Sequence, residues 1–254
     1  MNGDFLALLP KASVAQLSAS TPLAIEPLQA TTVFAFHCAE GVIIAGDHRA
    51  TAGNIVFSDK TEKILELDSH SLMAIAGVPA TAFEMARTLQ TTFEFYRRSQ
   101  LQSMSLPAKI RALSKLLRDN LAATIQGFGV VAPIFAGVEV GDPKAKPSIY
   151  FYDPLGAQFE AAAYAGSGSG SGSIKSVLHF LEKWGDPRPA EMSLSQASTL
   201  ATRLLMTAAE FDTATGGVHP DRNLFATIKL LSRDGIHTVP LADQERSWRE
   251  GLIA

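Results

Sequence analysis

Two hydrophobic periods alternate along the 254-residue chain. Residues 31–39 and 41–46 are β-rich and apolar and are separated by a short turn, which predicts a strand pair. Residues 63–67 and 71–75 predict a second pair around Asp68-Ser69-His70. After Gly77 the period changes. Phe83, Ala86, Leu89, Phe93 and Tyr96 recur every three or four positions, the spacing of one helix face. Pro107 stands near the start of a second helix carried by Ile110, Leu113, Leu117 and Leu121. Strand-like runs return at 133–140, 148–152 and 160–165. Two further helices follow, one on Ile174, Val177, Leu178 and Leu181, the other on Leu194, Ala197, Ala201, Leu204 and Ala208. The last elements are a run at 224–231, a turn at Asp234-Gly235 and a short strand at 236–239.

Helices grouped in pairs, rather than one per strand, argue against a repeating βαβ unit. The order predicts an α+β fold: two antiparallel sheets packed together with helix pairs outside. No linker or solenoid repeat divides residues 31–254, so they form one predicted domain. Residues 1–30 differ, being rich in Ala, Ser, Leu and Pro. Their longest apolar run, 5–9, is too short for a secretory signal, and no basic residue precedes it. They read as a removable leader of another kind, ending at Ala30. Residues 166–173 repeat Gly-Ser four times. Composition alone makes that a flexible linker. Its place between a strand and a helix favours a tight turn instead.

Composition narrows the function. A 46% hydrophobic content suits a sizeable core, and a net charge of -3 offers no electrostatic footprint for nucleic acid or an anionic membrane. No apolar run approaches the length of a membrane span. The single cysteine, Cys38, allows neither a disulfide framework nor a cysteine-based zinc site, and the cytoplasm is the expected compartment. The six histidines show no metal-like spacing, so no metal or other cofactor is expected.

Three signals carry chemistry together: Thr31-Thr32 before an apolar strand, Gly46-Asp47-His48-Arg49 with Thr51 and Gly53 behind it, and Lys63 at the next strand start. Singly, they are a β-former, a turn acid and a solvated end. Combined, they suit a nucleophile. If Thr31 becomes the N-terminus, its hydroxyl sits beside an α-amine of pKa about 8, which can help take the proton. Lys63 would favour the alkoxide, and Asp47 would hold Lys63. Gly77, without a Cβ, could present its N–H to a developing oxyanion.

These residues, with Ala76-Gly77 and Asp212-Thr213-Ala214-Thr215-Gly216-Gly217, resemble the β subunits of bacterial 20S proteasomes, in the actinobacterial form. The resemblance spans residues 31 to 240. It implies the four-layer αββα sandwich of the N-terminal-nucleophile hydrolases and a threonine peptidase autoprocessed at Ala30-Thr31. It implies Thr31 as nucleophile, Asp47 and Lys63 as its activating pair, and Gly77 as oxyanion donor. Ser169, Asp212 and Thr215 would support the Thr31 amine and a water, with Ser167 and Ser171 as alternatives within the repeat. Thr51 and Pro79 would line the substrate cleft, and Ala50, Ile75 and Phe83 the pocket for the residue before the cut. The implied partners are α subunits and other β subunits in stacked, heptameric rings, an ATPase activator, and unfolded or tagged protein substrates.

The chain departs from the family pattern in three places. Ala30 stands where a glycine is usual, Thr215 where serine is common, and Pro79 where an N–H donor is usual. Two other readings compete. One is the peptidase of a simpler two-ring ATP-dependent protease, for which the leader and the Asp-x-x-Thr-Gly-Gly run are unexpected. The other is a non-catalytic ring subunit, which should lack the Thr, Asp or Lys.

Overall fold

The strand alternation of residues 32–46 places apolar side chains on both faces of one sheet, and that double burial organises the molecule. The computed structural model describes residues 32–52, 55–219 and 224–251. Thr31, the expected leader 1–30, and Gly53 lie outside the described residues. Strands β1 (Thr32–Cys38) and β2 (Gly41–Gly46) pair antiparallel, with Val33 opposite Gly46. They are followed by a short hairpin, β3 (Ala50–Ala52) and β4 (Ile55–Ser58), then by β5 (Ile64–Asp68) and β6 (Ser71–Ala74). Helices α1 (Pro79–Gln100), α2 (Leu106–Asp119) and the one-turn α3 (Leu121–Ile125) come next. Then come β7 (Ile134–Gly137), β8 (Ser148–Tyr152), β9 (Gln158–Ala161) and β10 (Tyr164–Gly168). Helices α4 (Ser171–Trp184) and α5 (Leu194–Phe211), strands β11 (Thr227–Ser232) and β12 (Gly235–Thr238), and helix α6 (Leu241–Gly251) complete the order.

Ten of the strands form two five-stranded sheets, β10-β1-β2-β11-β12 and β5-β6-β7-β8-β9, while β3 and β4 pair with each other as a separate two-stranded sheet. Three apolar layers hold them. Val33, Ala35, Val42 and Ile44 meet Ile64, Leu72, Ile134 and Ile149 between the sheets. Phe34, Phe36, Ile43 and Ile228 point the other way, onto Ile174 and Leu178 of α4 and Ala201, Leu204 and Leu205 of α5. Met73 and Phe135 pack beneath Leu89 and Phe93 of α1 and Ile110, Leu113 and Leu117 of α2. Successive strand residues face opposite ways, so a strand buried on both sides must be apolar throughout. Each such buried Phe, Ile or Leu contributes about 1.5–3 kcal/mol. The result is helices, sheet, sheet, helices: the α+β sandwich expected from the element order.

The details differ from expectation in four places. The run 160–165 is not one strand. Gln158–Ala161 ends one sheet and Tyr164–Gly168 begins the edge of the other, because the chain crosses between layers at residues 162 and 163. The second helix stops at Asp119, so Leu121 starts a separate turn and is 37% exposed. The β3–β4 hairpin and α6 have no counterpart in the sequence pattern. The Gly-Ser repeat is divided between β10, a turn and the first turn of α4, as its position between strand and helix suggests.

Candidate active site

Strand pairing and the stacking of the two sheets bring three distant segments to the start of β1. Val33 lies opposite Gly46, so Asp47, just past the end of β2, falls beside Thr32. Thr32 is opposite Gly168, so the turn into α4 falls on its other side. Lys63 immediately precedes β5 in the second sheet, and its carbonyl accepts the Ile75 N–H at 2.9 Å.

Asp47 is wholly enclosed and fully paired. Its Oδ1 accepts the Thr32 N–H at 3.0 Å and the Lys63 ammonium at 2.6 Å. Its Oδ2 accepts the backbone N–H groups of Arg49 at 3.0 Å and Gly216 at 2.7 Å. Both side chains of the ion pair are 1% exposed. Lys63 spends a second N–H on the Arg49 carbonyl at 2.5 Å. Burial pushes the Lys63 ammonium below its ordinary value, and the Asp47 carboxylate opposes that only partly. A lysine held this way is a fixed positive charge whose proton is easier to remove than that of a solvated lysine.

A second carboxylate belongs to the same network, reached from Asp47 through Thr32 and Thr215. Asp212 follows the last residue of α5, and its Oδ2 accepts hydrogen bonds from Ser169 and Thr215, each at 2.6 Å. The Ala214 N–H donates to Oδ1 at 3.1 Å. Partial burial would raise the Asp212 carboxyl, but these donors and the Lys63 charge outweigh it and hold it below the usual carboxylate value. Of the three candidate serines in the repeat, Ser169 is the one bonded to Asp212. Ser167 donates instead to the Ala132 carbonyl at 2.6 Å, and Ser171 is buried as the first residue of α4.

Gly77 sits in a left-handed conformation, φ +110°, in a bridge with Val131. A Cβ there would lie 2.1 Å from the Val130 carbonyl oxygen, so only glycine fits. The bridge bonds run from Val78 N to Val130 O and from Ala132 N to Ala76 O, and neither uses the Gly77 N–H. Pro79 opens α1 two residues after Gly77, with Val78 as the N-cap between them. Ile75 is 2% exposed and shares the outer apolar layer with half-buried Phe83. Ala50 and Thr51, in β3, are both buried and directly follow Arg49.

Three contributors escaped the sequence reading. Thr32 looked like a β-former, yet its hydroxyl lies 2.5 Å from that of Thr215. Arg49 belonged to a recognised motif without a role. Its guanidinium reaches Asp59 at 2.9 Å and the Thr213 carbonyl at 3.2 Å, tying the β2–β3 connection to the Asp212 loop. Gly170 donates its N–H to the Thr32 hydroxyl at 3.0 Å. Their partners lie far away in the chain, and no local pattern announces such contacts.

Comparison with known proteins identifies the family. The profile of the family described as "Proteasome subunit" matches residues 28–219. A "Proteasome subunit beta" of Stackebrandtia nassauensis is 36% identical over 226 residues, covering 88% of this chain and 78% of that protein. "Proteasome subunit beta 2" of Thermomonospora curvata is 38% identical over 214 residues, covering 83% and 72%. A "Proteasome subunit beta" of Streptomyces griseus is 34% identical over 224 residues, covering 88% and 76%.

Proposed function

Because the chain belongs to the proteasome subunit family, and within it to the β subunits, we propose that it is a catalytically active threonine endopeptidase whose nucleophile is Thr31. The family is one of peptidases whose subunits assemble into stacked rings. The observation that carries the finer reading is the enclosed Asp47–Lys63 pair, 2.6 Å apart and bonded to the backbone N–H of the residue after Thr31. What supports chemistry is the convergence on this pair of polar groups from separate segments, the Arg49 carbonyl and the Gly216 and Thr32 N–H groups, which a purely structural ion pair does not need.

In this reading the leader 1–30 is removed by cleavage at Ala30-Thr31, which frees the Thr31 amine. The Thr31 hydroxyl attacks the scissile carbonyl, and its proton passes to the amine while the Lys63 charge favours the alkoxide. The oxyanion that forms is met by the Gly77 N–H, a donor whose loss typically costs about 10²–10³ in rate. The C–N bond then breaks, the leaving amine takes the proton, and water hydrolyses the ester to free Thr31. Asp212, Ser169 and Thr215 orient the amine and that water. Ala50, Ile75 and Phe83 make an apolar pocket for the residue before the cut, beside a cleft edged by Thr51 and Pro79. An unpaired charge in such a pocket costs several kcal/mol, so apolar residues are favoured.

We extend the assembly in the same way: seven-membered β rings flanked by α rings, an ATPase activator, and unfolded or tagged proteins as substrates, in the cytoplasm. The test is N-terminal sequencing of assembled particles. Thr-Thr-Val-Phe is expected, and an intact Met1 in active particles would end the proposal. The Thr31→Ala variant should assemble, keep its leader and lose peptidase activity.

A further inference from the structure

Thr32 is completely buried at the start of β1, where any β-branched residue would satisfy the strand. What a valine would lack is the hydroxyl, and the hydroxyl is fully engaged. Its oxygen accepts the Gly170 N–H at 3.0 Å and stands 2.5 Å from the Thr215 hydroxyl. Each hydroxyl carries one proton. Thr215 gives its proton to Asp212 Oδ2 at 2.6 Å, so the short contact is filled by the Thr32 proton. The bonds therefore run in one direction: Gly170 N–H to Thr32, Thr32 to Thr215, Thr215 to the Asp212 carboxylate. Chains of this kind polarise and stiffen one another away from water.

The cradle around the hydroxyl is closely fitted. A Cβ on residue 170 would lie 2.5 Å from the Thr215 hydroxyl oxygen and 2.7 Å from that of Thr32, so Gly170 is required by the approach of the two hydroxyls. On its backbone side, the Thr32 N–H is bound by Asp47 Oδ1 at 3.0 Å. Thr32 is thus gripped by both carboxylates of the site: by Asp47 through its amide and by Asp212 through its side chain and Thr215.

We propose that Thr32 is a positioning residue for the peptidase reaction, its hydroxyl locking the peptide plane from which the nucleophile projects and so joining the Asp47–Lys63 pair to the Asp212 loop. The peptide unit between residues 31 and 32 is planar, so fixing the Thr32 amide and side chain fixes the orientation of the Thr31 carbonyl. The restricted χ1 of a β-branched side chain adds to the lock. The proposal rests on the reading of Thr31 as the nucleophile.

The test compares Thr32→Val, Thr32→Ser and Thr31→Ala in assembled particles, with kcat and KM on a fluorogenic peptide and N-terminal sequencing of each. Thr32→Val should lower kcat by about tenfold or more, the scale of a misplaced reacting group, while KM stays within about twofold. Thr32→Ser keeps the hydroxyl and should restore kcat to within about threefold of the parent. Leader retention in Thr32→Val particles, with normal processing in Thr32→Ser, also supports the proposal, because the same positioned hydroxyl would make that cut. An unchanged kcat in Thr32→Val, an equal loss in both variants, or failure of both to assemble overturns it. Activity surviving in Thr31→Ala brings down the nucleophile reading itself. An inactive Thr31→Ala beside a fully active Thr32→Val brings down only the present proposal.

Discussion

Two lysines bracket strand β5, both almost completely buried and both 2.6 Å from an aspartate, yet their surroundings differ. Lys63 precedes the strand and meets Asp47, which is as buried as itself. Lys109 lies in α2 and meets Asp68 at the strand's far end, where the carboxylate is 26% exposed. Asp68 is helped by the His70 N–H and the Ser71 hydroxyl, and the Lys109 ammonium lies 5.5 Å from the Phe93 ring centre. That pair fastens α2 to the edge of a sheet. The Lys63 pair is tied to Arg49, Gly216 and Thr32, all beside a second carboxylate with two hydroxyls of its own. A buried ion pair does not by itself mark a site. The mark is a pair whose neighbours are further polar groups from separate segments, converging on one chain position.

Breaking each pair in turn should separate the two roles. The largest effect is on activity. Lys63→Ala should lower peptide cleavage by about 10³-fold, within the range for loss of a proton-handling group. Lys109→Met should stay within about twofold of the parent. Assays on purified particles decide this, and equal losses would erase the distinction.

Stability should separate the two halves of the Lys109–Asp68 pair. Asp68→Asn strands a lysine that water cannot reach and should cost about 3–5 kcal/mol. Lys109→Met leaves a carboxylate that is partly hydrated and still has two donors, so it should cost only about 1 kcal/mol. Denaturant midpoints of the two variants measure the asymmetry.

The pH dependence sharpens the structural half. Burial alone would raise the Asp68 carboxyl, but Lys109, Ser71 and the His70 N–H outweigh it and hold it below its ordinary value. A carboxyl lowered by folding stabilises the fold fully above its unfolded value, about 3.9, and loses that contribution as pH falls through the folded value. The stability gap between the parent and Asp68→Asn should therefore be constant from about pH 7 to 5 and close in stronger acid. A gap that persists there would remove the ion pair as its cause.

The smallest effect concerns the Gly-Ser repeat. Ser169→Ala removes a donor from Asp212 and should lower kcat by about tenfold, whereas Ser167→Ala, bonded to the Ala132 carbonyl, should change it by no more than about twofold. Parallel kinetics of the two variants test this ordering.

The sequence was most legible where burial is regular. The helical period of Phe83, Ala86, Leu89 and Phe93 survives as one buried side of α1, although Phe83 itself is only half covered. The β3–β4 hairpin was illegible because Ile55 and Phe57 are each 72% exposed, and their neighbour Val56 is also exposed, so no alternation records it. Helix α6 is mostly polar after Leu241 and Ala242 and offers few apolar positions to set a period. Within the site, Asp47 and Lys63 stood out by their place in the Gly46-Asp47-His48-Arg49 run and at a strand start, combined with Thr31. Thr32 and Gly170 did not. Their partners lie 183 and 138 positions away, and a threonine at a strand start has an ordinary explanation. The resemblance favoured Ser169 but left Ser167 and Ser171 open, and the bond from Ser169 to Asp212 is visible only in three dimensions.

The central claim is that Thr31 carries both the hydroxyl and the amine that do the chemistry, and an epoxyketone tests it most directly. Such a reagent closes a ring with a hydroxyl and an α-amine on the same residue, which an internal serine or cysteine cannot match. Intact-mass and peptide mapping of treated particles should show one adduct per active chain, on Thr31 at the mature N-terminus. An adduct on Cys38 or Ser169, or full inhibition with Thr31 unmodified, would contradict the account.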